Sequence, residues 1–379
     1  MQSYLNTLQT LASGGNLRRI PVPGSDGCAG MTDMTSNDYL GLADCEELHR
    51  SFIADEHNRR LAFTSSAARL LASAQEEYTR LEDLLRQLYP GNDALIFNSG
   101  YHANTGMISA LASEPGTLIV ADKLVHASII DGITLSKAPF TRFLHNDFNR
   151  LEHILSKEHD RYDRIWVVTE SVYSMDGDRT DLDVLTDLKR RYPKVMLYVD
   201  EAHGVGVEGD RGLGMCRSHS RYGEIDVIIG TLGKALASMG AFCITSATLR
   251  EYAVNRARSF IFSTALPPVN VAWSRHVIQA SLDMDDRRVR LREAGVQMAE
   301  GIARITGSKP VTSHILPVVT GSAESAIALS DAMRRDGFKV LPIRTPTVPP
   351  GTERLRISLN ASLSADKIIE FLQALSRNI

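Results

Sequence analysis

The chain has 379 residues, 43% of them hydrophobic and 23% charged, which allows a large buried core and argues against disorder. A net charge of −3 excludes a broad electrostatic attraction to nucleic acid or anionic lipid, and no apolar run reaches membrane-spanning length. The expected partner is therefore a small molecule, with no nucleic acid and no membrane.

The opening residues, Met1-Gln2-Ser3-Tyr4-Leu5, lack a basic segment followed by an apolar run, so a cytoplasmic protein is expected. Cys28, Cys45, Cys216 and Cys243 stand far apart with no Cys-x-x-Cys pair, which predicts neither a zinc site nor a disulfide framework. No metal is expected. Tyr4, Leu5, Leu8 and Leu11 form a short amphipathic stretch, and a Pro/Gly-rich passage follows from Ile20; together they predict an N-terminal arm over residues 1–35.

A large domain is expected over 36–270. It starts with the loop Thr35-Ser36-Asn37-Asp38-Tyr39-Leu40-Gly41-Leu42. Tyr78, Leu81, Leu84, Leu85 and Leu88 recur at helical spacing until Pro90-Gly91. The strand Ala94–Phe97 then leads into Asn98-Ser99-Gly100-Tyr101-His102-Ala103-Asn104, and strand, small polar residues, then helix is the order that aims free backbone N–H groups at a phosphate. An ordinary strand-to-helix turn reads the same way.

Alternation continues. Strands are expected at Thr117–Ala121, Pro139–Phe143, Arg164–Thr169, Val195–Val199, Asp226–Gly230 and Ala241–Thr245, with helices after His126, through Leu151 and Leu155, and through Leu182 to Leu188. Continuous apolar strands in repeated βα units predict a mainly parallel sheet with helices on both faces. Residues 271–379 are expected to hold a linking helix, from a pattern running Val269 to Ile305, and a smaller α+β domain.

Gly204-Val-Gly206-Val-Glu-Gly209 matches the dinucleotide fingerprint literally, yet Asp210-Arg211-Gly212-Leu213-Gly214 is too glycine-rich to open the helix the motif needs. The strand ends carry a different chemistry. Asp200 could hold the proton of a pyridine nitrogen and so make the ring an electron sink. Lys234 could form a Schiff base with an aldehyde and, once released, act as a base. Ser99, Gly100, Tyr101 and the Thr231 hydroxyl could supply donors to a phosphate. These are the demands of pyridoxal 5'-phosphate. Asp200 as a helix cap, His203 as a core imidazole and Lys234 as a surface lysine are separate bland readings, and they do not account for the shared position at strand ends.

Asn98–Asn104, His126-Ala-Ser128, Glu170-Ser-Val-Tyr-Ser-Met-Asp-Gly-Asp178, Asp200-Glu-Ala-His203, Thr231-Leu-Gly-Lys234 and Arg354-Leu-Arg-Ile-Ser358 resemble the α-oxoamine synthases, in order and spacing from Asn37 to the C-terminal helix. The resemblance implies an α/β, fold type I aminotransferase-like architecture. It implies that Lys234 carries the cofactor, Asp200 contacts the pyridine nitrogen, His126 stacks on the ring, and His203 and Ser174 lie near its phenolic oxygen. Gly100 and Tyr101 would meet the phosphate or ring, with Thr231 nearby and Thr264 arriving from the partner subunit of a homodimer with shared active sites. Arg356, helped by Asn37, would hold the amino-acid carboxylate, and Arg18 or Arg19 would face the acyl substrate.

Ser36–Leu42, Asn16-Leu-Arg-Arg19 and Thr64–Leu71 resemble members of that family that condense L-alanine with a pimeloyl thioester, carried by coenzyme A or by a carrier protein. Glycine or serine with another acyl-CoA is the alternative. An aldolase or decarboxylase using the same cofactor is a more distant one.

Overall fold

A computed structural model describes residues 1–18, 20, 30–73 and 75–379. Arg19, Cys28 and most of the Pro/Gly-rich passage lie outside the described residues. The chain divides into two compact units, one of residues 40–173 and 179–288, the other of residues 1–39, 174–178 and 289–379.

The larger unit is built on a seven-stranded sheet. Its strands in chain order are β1 (Asp93–Phe97), β2 (Thr117–Asp122), β3 (Phe140–Phe143), β4 (Arg164–Glu170), β5 (Val195–Asp200), β6 (Val227–Thr231) and β7 (Ala241–Thr245), and their spatial order is β1-β7-β6-β5-β4-β2-β3. All neighbours are parallel except β7, which runs antiparallel to both β1 and β6. The expected mainly parallel sheet is present. Strands β1, β2, β4, β5 and β6 all release their carboxyl ends on one rim, where ligands bind in open α/β sheets.

The sheet is buried on both faces, which is why its strands read as continuous apolar runs instead of alternating ones. Ile119, Trp166, Tyr198 and Ile229 point into a core shared with helix α2 (Gly100–Leu111) and helix α3 (Ala127–Ser136). A Cβ on Gly132 would lie 2.9 Å from the carbonyl oxygen of Asn104. Glycine there lets α3 rest directly on the backbone of α2.

Helix boundaries follow local chemistry. Ser99 caps α2 by accepting from the His102 N–H, and His126 caps α3 through its own ring, which accepts from the Ser128 N–H. The single long helix expected from Val269 to Ile305 is instead two, Pro268–Ser281 and Asp285–Thr306. An apolar period alone does not register the break at residues 282–284, where Leu282, Asp283 and Met284 donate to carbonyls three or four residues back and close the first helix. Helices Glu46–Ala54 and Ala247–Arg256 had no clear sequence signal; the first buries only Leu48 and Phe52, the second only Ala253.

In the smaller unit, strands β8 (Ile315–Val319), β9 (Leu341–Ile343) and β10 (Arg354–Ser358) form an antiparallel sheet in the order β9-β10-β8. The stretch Phe338–Ile343 forms two strands: Phe338–Lys339 pairs in parallel with Thr32–Asp33, and β9 pairs with β10. The N-terminal helix Gln2–Ser13 buries none of its residues. Among the described residues no helix is long and apolar enough to cross a membrane.

Candidate active site

Asp200 is the last residue of β5 and is 4% exposed. Its Oδ2 accepts from the Asn104 amide at 2.7 Å and its Oδ1 from the Ala202 N–H at 2.8 Å, so both hydrogen bonds come from neutral donors. Glu170 ends the neighbouring strand β4 in register with Asp200. Burial raises its carboxyl well above the usual carboxylate range; the Asp200 charge adds to the rise and Lys234 opposes it. Glu170 Oε1 accepts the His126 N–H at 2.5 Å and so holds the start of α3.

The His126 ring is open to solvent at its surface but crowded from within. That partial burial, reinforced by Lys234 and opposed by Asp200, keeps its imidazole below the ordinary histidine value. Its Nδ1 lies 2.7 Å from the Ser128 hydroxyl. His203 is buried just past the end of β5, and its Nε2 lies 2.8 Å from the Lys234 Nζ, which β6 delivers three residues beyond Thr231. The carboxyl end of β5 thus carries Asp200 and His203, and the segment after β6 brings Lys234 to His203.

Other expected residues fall into backbone roles. The N–H groups of Gly100 and Tyr101 open α2 without intrahelical acceptors, as the first turn of any helix does. Ser99 spends its hydroxyl on the α2 cap and on His102 Nδ1 at 2.8 Å. The Tyr101 side chain is half exposed and donates to Asp131. Thr231 Oγ1 accepts the Gly233 N–H at 3.3 Å, and the Thr264 carbonyl accepts from Asn98 at 2.6 Å. In the fingerprint-like run no α-helix opens within Gly204–Gly209, and Gly206 and Gly209 take positive φ of 87° and 76°.

In the smaller unit Arg356 is buried on β10. Its Nε donates to the Ser174 carbonyl at 2.5 Å, Nη1 to the Ser358 hydroxyl at 2.6 Å and Nη2 to Asn37 Oδ1 at 3.2 Å. Every acceptor is neutral, so the guanidinium has no carboxylate partner among the described residues. Arg354, two residues earlier, is ion-paired with Asp176. Tyr39 donates to Asn37 Oδ1 at 3.0 Å, and burial pushes its hydroxyl up to about 12 against the pull of Arg356. Arg18 donates to the Thr347 hydroxyl at 3.2 Å, and Arg19 lies outside the described residues.

This donor set fits a pyridoxal phosphate. Asp200, buried among neutral donors and beside a second acid, calls for a cationic N–H; Lys234 supplies an amine; the start of α2 supplies N–H groups for a phosphate. A family profile described as "Aminotransferase class I and II" matches residues 29–375. The chain belongs to that family. With it come fold type I and pyridoxal phosphate as the cofactor. It is 47% identical over 346 residues to a protein of Pasteurella multocida named "Putative 8-amino-7-oxononanoate synthase", covering 91% of this chain and 89% of the other. Among solved structures, serine palmitoyltransferase described with pyridoxal phosphate as internal aldimine superposes with a TM-score of 0.89 at 26% identity, covering 99% and 96%. The 8-amino-7-oxononanoate synthase of Francisella tularensis gives 0.75 at 30% identity, covering 92% and 97%.

Reading the sequence assigned no role to Asn104, Tyr198, Ser128 or Glu170. A signal was present for the first of these, a lone amide within the otherwise small and apolar run Ala103–Leu111.

Proposed function

We propose that this enzyme condenses L-alanine with a pimeloyl thioester, with loss of carbon dioxide, to give 8-amino-7-oxononanoate, a cytoplasmic step of biotin synthesis. The observation that carries the chemistry is the Lys234–His203 contact of 2.8 Å beside buried Asp200. The names of the relatives support the choice of substrates. When bound, pyridoxal phosphate supplies an electron sink for a carbanion at the substrate Cα.

Lys234 Nζ would hold the cofactor at rest and, once free, would serve as the base that takes the substrate Cα proton. His203 Nε2 within hydrogen-bond reach can relay that proton and keep the amine neutral for the next turn. The Cα electron pair bonds to the thioester carbonyl carbon and the C–S bond breaks, releasing a thiolate that takes its proton from solvent. The former amino-acid carboxylate then leaves as carbon dioxide, and a proton returned by Lys234 completes the product. With pyridoxal phosphate bound, Asp200 would hold the ring-nitrogen proton and His126 would lie against the ring. Arg356 binds the substrate carboxylate through both oxygens. Asn37 steadies that guanidinium, His203 and Ser174 would each serve the phenolic oxygen, and Arg18 or Arg19 would meet the acyl chain.

The active unit is a homodimer in which Thr264 completes the partner's site. Phe63, Leu71 and Phe262, 81%, 80% and 70% exposed in the larger unit, supply apolar surface for such an interface. The test is to supply the holoenzyme with L-alanine, glycine or L-serine and pimeloyl-CoA, and to measure carbon dioxide and product mass. Turnover with L-alanine is expected. Turnover only with glycine or only with L-serine overturns this reading.

A further inference from the structure

Three hydrogen bonds meet at one buried amide in the larger unit, and a fourth carries the chain on to His126. Asn104 is 1% exposed, and its partners Tyr198, Ser128 and Asp200 are 1%, 0% and 4% exposed. The Tyr198 hydroxyl lies 2.8 Å from Asn104 Oδ1; Asn104 Nδ2 lies 2.7 Å from Asp200 Oδ2 and 2.9 Å from Ser128 Oγ; and Ser128 Oγ lies 2.7 Å from His126 Nδ1.

The direction of every proton in this chain is determined by its neighbours. Asp200 needs a donor, so the amide presents NH₂ to it; the reverse orientation would set a carbonyl oxygen against a carboxylate. Oδ1 then accepts, and the Tyr198 hydroxyl donates to it. The second amide hydrogen goes to Ser128 Oγ, which leaves the single serine hydrogen to point at His126 Nδ1. The Ser128 N–H also faces Nδ1, at 3.2 Å. A nitrogen facing two donors carries no hydrogen of its own, so the ring is neutral and protonated on Nε2.

We propose that Asn104 is a positioning residue for the cofactor ring, orienting the Asp200 carboxylate with one amide hydrogen and, through Ser128, setting the His126 tautomer with the other. The inference rests on the reading of Asp200 and His126 as partners of the ring. It adds that the two are one hydrogen-bonded unit. The closeness of α3 to α2 at Gly132 holds the two helices in the register that this unit needs. The lowered basicity of His126 agrees with a neutral ring.

The test measures two quantities on the apoenzyme: the dissociation constant for added pyridoxal phosphate, and the ¹⁵N signals of the His126 ring, assigned by their loss in His126→Gln. Asp200→Asn serves as the reference. Asn104→Ala should weaken cofactor binding by roughly tenfold to a hundredfold, the scale of a lost hydrogen bond to a charged group. It should also move His126 away from the single Nε2–H pattern. Ser128→Ala should disturb the tautomer while weakening binding by less than about threefold, and Tyr198→Phe should weaken binding by roughly threefold to tenfold. Wild-type affinity and tautomer in Asn104→Ala, with Asp200→Asn impaired, overturn the inference and leave the reading of Asp200 intact. An unimpaired Asp200→Asn overturns both. Should Asn104→Ala not fold, Tyr198→Phe and Ser128→Ala each remove one bond, and wild-type values in both overturn it.

Discussion

Around Asp200 the larger unit buries negative charge and surrounds it with neutral donors, whereas around Arg356 the smaller unit buries positive charge and surrounds it with neutral acceptors. Compensating either charge within the protein would have been straightforward, as Arg354 with Asp176 demonstrates two residues from Arg356. A buried charge left without a counter-charge costs free energy unless something else completes it. On the proposed reading, each cluster awaits an opposite ligand: a protonated ring nitrogen for the acid, a carboxylate for the guanidinium. The two clusters differ in how much freedom they keep. Asp200 is held by an amide that is itself clamped by Tyr198, while the Arg356 fork reaches a half-buried partner, Asn37, at 3.2 Å.

Four experiments press on this contrast. The largest effect belongs to Lys234, which neither cluster can replace. Lys234→Ala should lower turnover by more than about 10⁴-fold, and retained multiple turnover would falsify its role as base.

The next concerns Glu201, which follows Asp200 in the chain and accepts from the main-chain N–H groups of Met215 and Cys216 at 2.8 and 3.2 Å, with the Ser171 hydroxyl and the Cys216 thiol beside it. Gly214 allows this approach, since a Cβ there would lie 2.1 Å from Glu201 Oε2. Full burial pushes its carboxyl up to about 7. The folded state thus binds a proton that the unfolded state has released, so this group's contribution to stability is greatest below about pH 4.5, falls as pH rises, and levels off above about pH 7. Glu201→Gln should flatten a slope that totals about 3 kcal/mol, read from denaturant unfolding at a series of pH values. An unchanged slope would show that this acid is not held against its burial.

Arg356→Lys keeps the charge and loses the fork. The KM for the amino acid should rise by roughly tenfold to a hundredfold while pyridoxal phosphate affinity stays at the wild-type value. Equal losses of both would erase the division of labour between the two clusters. The smallest effect is expected from Tyr39→Phe, which removes one hydroxyl from Asn37: KM for the amino acid should rise by about threefold to tenfold with kcat nearly unchanged, and an unaltered KM would remove Tyr39 from the carboxylate site.

Much of the architecture was legible before any coordinates, because it is encoded locally. Apolar runs such as Ile165–Val168 and Val227–Ile229 declare buried strands by themselves, and the polar residues that follow them, Glu170, Asp200 and Thr231, are placed at a sheet rim by chain order alone. Local signals failed where helix geometry depended on neighbours. The 269–305 pattern gave no warning of its break, and Glu46–Ala54 buries too few residues to announce itself.

The sequence by itself determined which groups stand at the strand ends: an acid, an imidazole and an amine, with a glycine-bearing helix start nearby. Only the tertiary structure decided what surrounds them. Asn104 reaches Asp200 across 96 residues of chain, and Arg354 and Arg356 are equivalent as letters until one finds Asp176 and the other does not. The reason is physical. Periodicity is a property of adjacent residues, but whether a buried charge is paired depends on which distant groups packing brings within hydrogen-bonding distance.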